Sequence, residues 1–122
     1  TLDLACDTET TGLNFLKCKL NTIAFSTTKG NYAIPLEHKD TPFSEEELND
    51  VVYPWIKQVL ENPRNRKIFH NAKFDLKFLL AKGIRTTNVF DTKLMAHLFD
   101  EESPKSLKDL VKRFFPDEID EL

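Results

Sequence analysis

Cysteine is scarce: Cys6 and Cys18 are the only two in 122 residues. That excludes a disulfide-stapled scaffold. Cys6 lies inside an apolar run and reads as a small buried hydrophobe in a reducing, intracellular setting. Glycine is down to three residues, and no glycine-rich phosphate loop can be drawn. An excess of positive charge is missing too: 17 Lys and Arg against 20 Asp and Glu leave a net charge of −3. This argues against gripping nucleic acid through a broad basic surface. It leaves metal-dependent nuclease chemistry open, because bound divalent cations invert the sign of an acidic pocket. No apolar run reaches the roughly 18 residues of a membrane span, and no stretch reads as a secretory leader or low-complexity tract. His38 and His97 lack the spaced partners of a zinc site, and no Ser-His-Asp set is visible. What remains is one domain, large enough for a real core.

The most informative stretch is Leu2-Asp3-Leu4-Ala5-Cys6-Asp7-Thr8-Glu9-Thr10-Thr11-Gly12-Leu13, an apolar run that ends in two acids and a glycine turn. As a strand over residues 2–9 it projects Asp7 and Glu9 from the same face. Two close carboxylates repel each other unless a cation lies between them, and Mg²⁺ is held by one or two carboxylates with phosphate and water. The bland alternative is a strand end carrying two solvated acids.

Residues 20–27 alternate as a second strand, Lys29-Gly30-Asn31 is a hairpin signal, and Tyr32 to Leu36 forms a third strand. Ser44 opens a helix, with Glu47 completing a capping box and Glu45 and Glu46 favouring the helix dipole. Leu48, Val51, Val52, Trp55, Ile56, Val59 and Leu60 make its apolar stripe, with Trp55 expected in the core and Pro54 expected to kink or split the helix. Arg64, Arg66 and Lys67 read as a solvated basic turn. Lys67 to His70 is a short strand, and Asn71 is placed as the N-cap of a helix from Ala72 to Lys82 stopped by Gly83. Asp75 falls in the first turn of that helix, where the dipole alone explains an acid. Phe74, Phe78 and Leu79 face inward, while Lys73 and Lys77 face out. Thr86 to Phe90 adds a parallel edge strand, and Asp91 or Thr92 caps a helix with Leu94, Met95, Leu98 and Phe99 as its apolar residues. Ser106 opens a last helix, with Asp109 at the box position and Leu107, Leu110, Val111 and Phe114 turned inward until Pro116 breaks it. The class is α/β: a mixed sheet, antiparallel meander first and parallel strands after, flanked by helices.

In order, Asp-Thr-Glu-Thr-Thr-Gly-Leu at 7–13, His-Asn-Ala-Lys-Phe-Asp at 70–75 and Phe-Asp-Thr at 90–92 resemble the 3′-5′ proofreading exonuclease domain of the DNA polymerase I (family A) type. That family belongs to the DEDD exonucleases, built on a ribonuclease H-like sheet. The resemblance implies a two-metal exonuclease, using Mg²⁺ or Mn²⁺, that removes nucleoside 5′-monophosphates from a single-stranded 3′ end of DNA. It implies a polymerase domain as partner in the same chain, no membrane, and the cytoplasm of a bacterial or phage-infected cell. Asp7 resembles the carboxylate bridging both metals. Glu9 resembles the ligand of the first metal that helps place the attacking water, and Asp75 the acid holding the second. Thr10 and Leu13 match contacts to the terminal nucleotide, while Asn71, Phe74 and His70 match contacts further into the strand.

The chemistry suits those residue types. Two metals about 3.5–4 Å apart generate a nucleophile from water and stabilise the leaving oxygen, and apolar stacking reads a frayed end without sequence preference. The family's third motif, a tyrosine or histidine a few residues before a fourth aspartate, has no counterpart. Tyr32 and Tyr53 both precede Asp75, and Asp117 and Asp120 lack that context. Residues 1–122 are therefore expected to be an exonuclease domain cut before that motif, weakly active or inactive alone. Two other readings keep parts of this pattern: an RNA exonuclease of the ribonuclease D type, and a vestigial domain that only binds a strand or braces a polymerase.

Overall fold

The computed structural model describes residues 2–99 and 105–116. Five strands form one sheet in the order β3-β2-β1-β4-β5: β1 Asp3–Thr10, β2 Leu20–Thr27, β3 Gly30–Pro35, β4 Arg66–Phe69 and β5 Val89–Asp91. The pairs β1–β2 and β2–β3 are antiparallel, and β1–β4 and β4–β5 are parallel. This is the expected mixed sheet, with the acid-bearing strand at its centre.

Alternation along β1 buries Leu4, Cys6 and Thr8 and exposes Asp3, Ala5, Asp7 and Glu9. Cross-strand register carries the division outward, because Cys6 faces Phe25 and Thr8 faces Ile23 on the buried side, while Asp7 faces Ala24 on the open side. The buried face joins Ile56, Leu60, Phe78 and Leu79 of the helices in a single core. Burial pushes the Cys6 thiol up to about 12, so it stays protonated and inert, as its apolar setting suggested.

The Ser44–Glu47 capping box forms as expected. The helix changes type just before Pro54: α1 Glu45–Glu47 continues through a π-helical stretch, Leu48–Val52, into α2 Tyr53–Glu61, with Pro54 in the first turn of α2. Proline supplies no N–H to the preceding turn, and the wider helical loop accommodates that loss. The buried arc is narrower than the expected stripe. Trp55 is 50% exposed and Val51 is exposed, with Trp55 packing edge-on against Phe25 at 6.3 Å. Lys67, expected in a solvated turn, is 0% exposed. Its Nζ donates to the Asn62 carbonyl at 2.8 Å, and burial lowers its pKa.

Helix α3 covers Ala72–Ala81 and ends at Gly83, whose φ of 79° is the left-handed stop glycine favours. Helices α4 Thr92–Phe99 and α5 Leu107–Phe114 form where the pattern put them. Of the α5 residues expected to turn inward, Leu110 and Val111 are half-buried but Leu107 and Phe114 are exposed, and Leu94, Met95 and Leu98 of α4 are exposed as well. No described element packs over them closely enough to bury them. The side chain of Phe99, and Asp117 and Asp120, lie outside the described residues.

Candidate active site

Asp7 and Glu9 leave the C-terminal end of β1 on the open face. The β1–β2 register shifts between Glu9 and Thr10, a bulge that ends regular pairing where the acids project. Partial burial pushes the Asp7 carboxyl up, the Thr8 backbone N–H pulls it down, and the Glu9 charge raises it again.

Asp75 arrives from the other side. It is 4% exposed and accepts the Thr8 hydroxyl on Oδ1 at 2.6 Å, while its Oδ2 is buried without a described hydrogen-bond partner. Burial raises its pKa to about 6, the Thr8 bond opposes the rise, and Asp7 and Asp91 add to it. The expected gathering of three acids is thus incomplete. Asp7 and Glu9 point from the open face and Asp75 is drawn to Thr8 of the buried face. Among the described residues no group of three His, Cys, Asp or Glu side chains is set as a metal cage. The donor chemistry still fits a hard cation. All three are carboxylates, and the orphaned Oδ2 is a buried acceptor that needs a positive partner.

His70 opens with Asp7 into a trough of about 700 Å³ over the exposed sheet face. Thr92 Oγ lies 3.2 Å from the Phe69 carbonyl oxygen and 2.9 Å from His70 Nδ1, within hydrogen-bond reach of both. The other ring nitrogen, Nε2, is buried and without a described partner. Thr10 spends its hydroxyl locally, donating to the Gly12 carbonyl at 2.7 Å. A Cβ on Gly12 would lie 2.8 Å from Cys18 Sγ. Any larger residue there would have to displace the Cys18 side chain, and the turn presents Leu13 at 86% exposure.

Leu13, Asn71 and Phe74 line one pocket of about 280 Å³, so three of the expected strand contacts come together. Phe15, Lys73 and Lys77 line it as well. Sequence reading assigned the two lysines only to the outer face and gave Phe15 no role. Phe74 packs on Phe78 with centroids 5.2 Å apart, and Lys77 Nζ sits 5.9 Å from the centre of the Phe15 ring. The i, i+4 spacing of the lysines on α3 was the available signal. Asn71 does precede α3, but its side chain makes no cap bond and its backbone is left-handed, with φ 62° and ψ 57°. The cap comes instead from Asp91, which accepts the N–H groups of Asn71 at 3.0 Å and Ala72 at 2.9 Å.

A family model described as 3′-5′ exonuclease matches residues 1–121. DNA polymerase I of Pseudomonas aeruginosa is 28% identical over 106 residues, covering 84% of this chain and 12% of the polymerase. Brucella melitensis NrnC, solved bound to pGG, is 27% identical with a TM-score of 0.73, over 93% of this chain and 52% of that one. The same protein has been solved with bound Mg²⁺. Escherichia coli RNase D, an exoribonuclease involved in structured RNA processing, shares the fold at a TM-score of 0.70 and 18% identity, over 93% of this chain and 28% of its own. The chain thus spans about an eighth of the polymerase and about half of NrnC.

Proposed function

The chain belongs to the 3′-5′ exonuclease family, of the DEDD type on a ribonuclease H-like fold, and from that premise we propose that it edits the single-stranded 3′ end of DNA for a family A polymerase. The reaction is hydrolysis of the terminal phosphodiester with release of a nucleoside 5′-monophosphate. The observation that carries this reading is the arrangement around β1: Asp7 and Glu9 at its tip, Asp75 with an orphaned oxygen behind it, and the pocket of Leu13, Asn71 and Phe74 nearby. The polymerase relative, matched over 84% of this chain, favours DNA and a polymerase domain as partner.

Asp7, Glu9 and Asp75 would hold Mg²⁺ or Mn²⁺, two ions in all. When bound, the cations supply a water nucleophile near neutral pH and charge stabilisation for the leaving oxygen. The chain's own residues do the rest. Leu13 and Phe74 offer apolar surface to unstacked bases, which requires no particular sequence. Lys73 and Lys77 offset backbone charge beside an otherwise acidic site. Thr10 contacts the terminal nucleotide through its backbone, since its hydroxyl is committed to the turn. His70, whose ring borders the trough with Asp7, and Asn71, through its side-chain amide, contact the strand. No tyrosine follows Asp75 in the sequence, so the water lacks the family's orienting hydroxyl, and weak activity is expected of residues 1–122 alone.

RNA is the second reading, favoured by the likeness to NrnC over 93% of this chain. A strand-binding scaffold without catalysis is the third. Degradation of 5′-labelled single-stranded DNA and RNA of matched sequence, with Mg²⁺ and with EDTA, separates them. Faster Mg²⁺-dependent shortening of DNA from the 3′ end supports editing. A preference for RNA moves the substrate, and no metal-dependent shortening of either leaves the scaffold.

A further inference from the structure

Asp91 stands at the seam between two helices. Besides the N–H groups of Asn71 and Ala72, its Oδ1 accepts those of Lys93 at 2.9 Å and Leu94 at 3.4 Å. A single carboxylate therefore satisfies orphan donors at the start of both α3 and α4. Thr92 repeats the link through the Phe69 carbonyl and the His70 ring. Because β5 runs parallel to β4 with Asp91 opposite Phe69, the sheet itself delivers this carboxylate to the end of β4, where α3 begins. Asn71 there adopts the left-handed conformation, which asparagine tolerates better than most residues but which still carries strain. Two successive N–H groups converging on one anion are what that conformation offers, so the carboxylate and the strained turn stabilise each other.

We propose that Asp91 is a positioning residue for strand binding: by clamping the left-handed turn at Asn71, it fixes the direction of the Asn71 side chain and the roll of the first turn of α3, which carries Phe74. The proposal rests on the reading that Asn71 and Phe74 contact the strand. An ordinary cap contributes stability alone. A clamp on this turn also sets the shape of the pocket that Leu13, Asn71 and Phe74 share, and the two roles separate experimentally.

The test uses the whole chain and a fluorescein-labelled single-stranded oligothymidylate, titrated by anisotropy in EDTA so that cleavage does not compete. Asp91→Asn keeps one acceptor oxygen and puts an N–H donor where the second oxygen was. Ser44→Ala serves as the control, since it removes a cap of α1 far along the chain from the pocket. Asp91→Asn is expected to weaken oligonucleotide binding about tenfold, the scale on which supporting partners act, while Ser44→Ala leaves binding unchanged. The Asn71 and Ala72 amide proton resonances should move upfield in Asp91→Asn as their charged acceptor is lost. Unchanged affinity in Asp91→Asn, with a lowered melting temperature, makes Asp91 a cap and overturns the proposal. An equal loss of affinity in Ser44→Ala also overturns it. Failure of the unaltered chain to bind the oligonucleotide overturns the strand-contact reading, and the positioning role with it. The amide shifts still report in that case whether the clamp exists.

Discussion

Thr8 and Asp75, 67 positions apart, are joined by a hydrogen bond of 2.6 Å from the threonine hydroxyl to the carboxylate. Thr8 lies between the two strand acids yet faces the opposite way, into the core. It therefore ties the helix acid to the strand while Asp7 and Glu9 remain free. Thr8→Val keeps the shape and removes the donor, leaving a buried carboxylate with neither oxygen satisfied. The expected loss is about 1–3 kcal/mol, read from urea unfolding near neutral pH, with Asp75 driven further toward its protonated form.

Asp75 gives the chain a distinctive pH response. Its folded pKa of about 6 exceeds the unfolded value of about 3.9, so the folded state binds the proton more tightly. The contribution is fully present below about pH 4 and is lost as pH rises through about 6. In EDTA, melting temperature should fall across that window and flatten above it. Asp75→Asn mimics the protonated form and should abolish the fall, with a higher melting temperature than the unaltered chain at pH 7. A melting temperature that rises from pH 4 to 6 would contradict the assignment.

Divalent cation should reverse that penalty. Mn²⁺ at about 100 times its dissociation constant stabilises a binding-competent fold by about 2.7 kcal/mol, and the pH dependence should shrink as the orphaned oxygen gains a partner. Calorimetric titration of the native chain against Asp7→Ala and Asp75→Asn checks this. Equal heats from all three would leave the acids without a metal role.

Lys73 and Lys77 are exposed, flank the pocket and form no salt bridge among the described residues. Replacing both with glutamine should weaken single-stranded oligonucleotide binding. It should also reduce the slope of log affinity against log salt by about 0.7 for each phosphate that is no longer neutralised. Phe15→Ala should weaken binding with the slope unchanged, because it removes stacking surface and no charge.

Local rules read much of this molecule correctly. Strand β2 spans the expected residues 20–27, and the Ser44–Glu47 box closes as its spacing required. The misses come from tertiary packing, which local patterns do not carry. Asn71 looked like a cap because asparagine precedes a helix, but the cap arrives from Asp91, 20 residues on. Lys67 looked solvated because of its charge, yet its stem crosses the core face and its ammonium finds the Asn62 carbonyl. Trp55 fitted a stripe that counted every apolar residue, whereas the sheet covers only the arc of Leu48, Val52, Ile56 and Leu60. The acids at 7, 9 and 75 were visible as residue types. Their separation onto two sides of β1 was not, since it depends on which way Thr8 turns.

Strand β1 has a neighbour on each side, β2 and β4, while β3 and β5 form the rims. Warming should fray those outer ribbons first, since each is held along one edge only. Asp7 and Glu9 lie past Ala5, the last β1 residue paired with β4, and are held through β2 alone, so the spacing between them should loosen together with those margins while the Asp3–Ala5 stretch stays fixed.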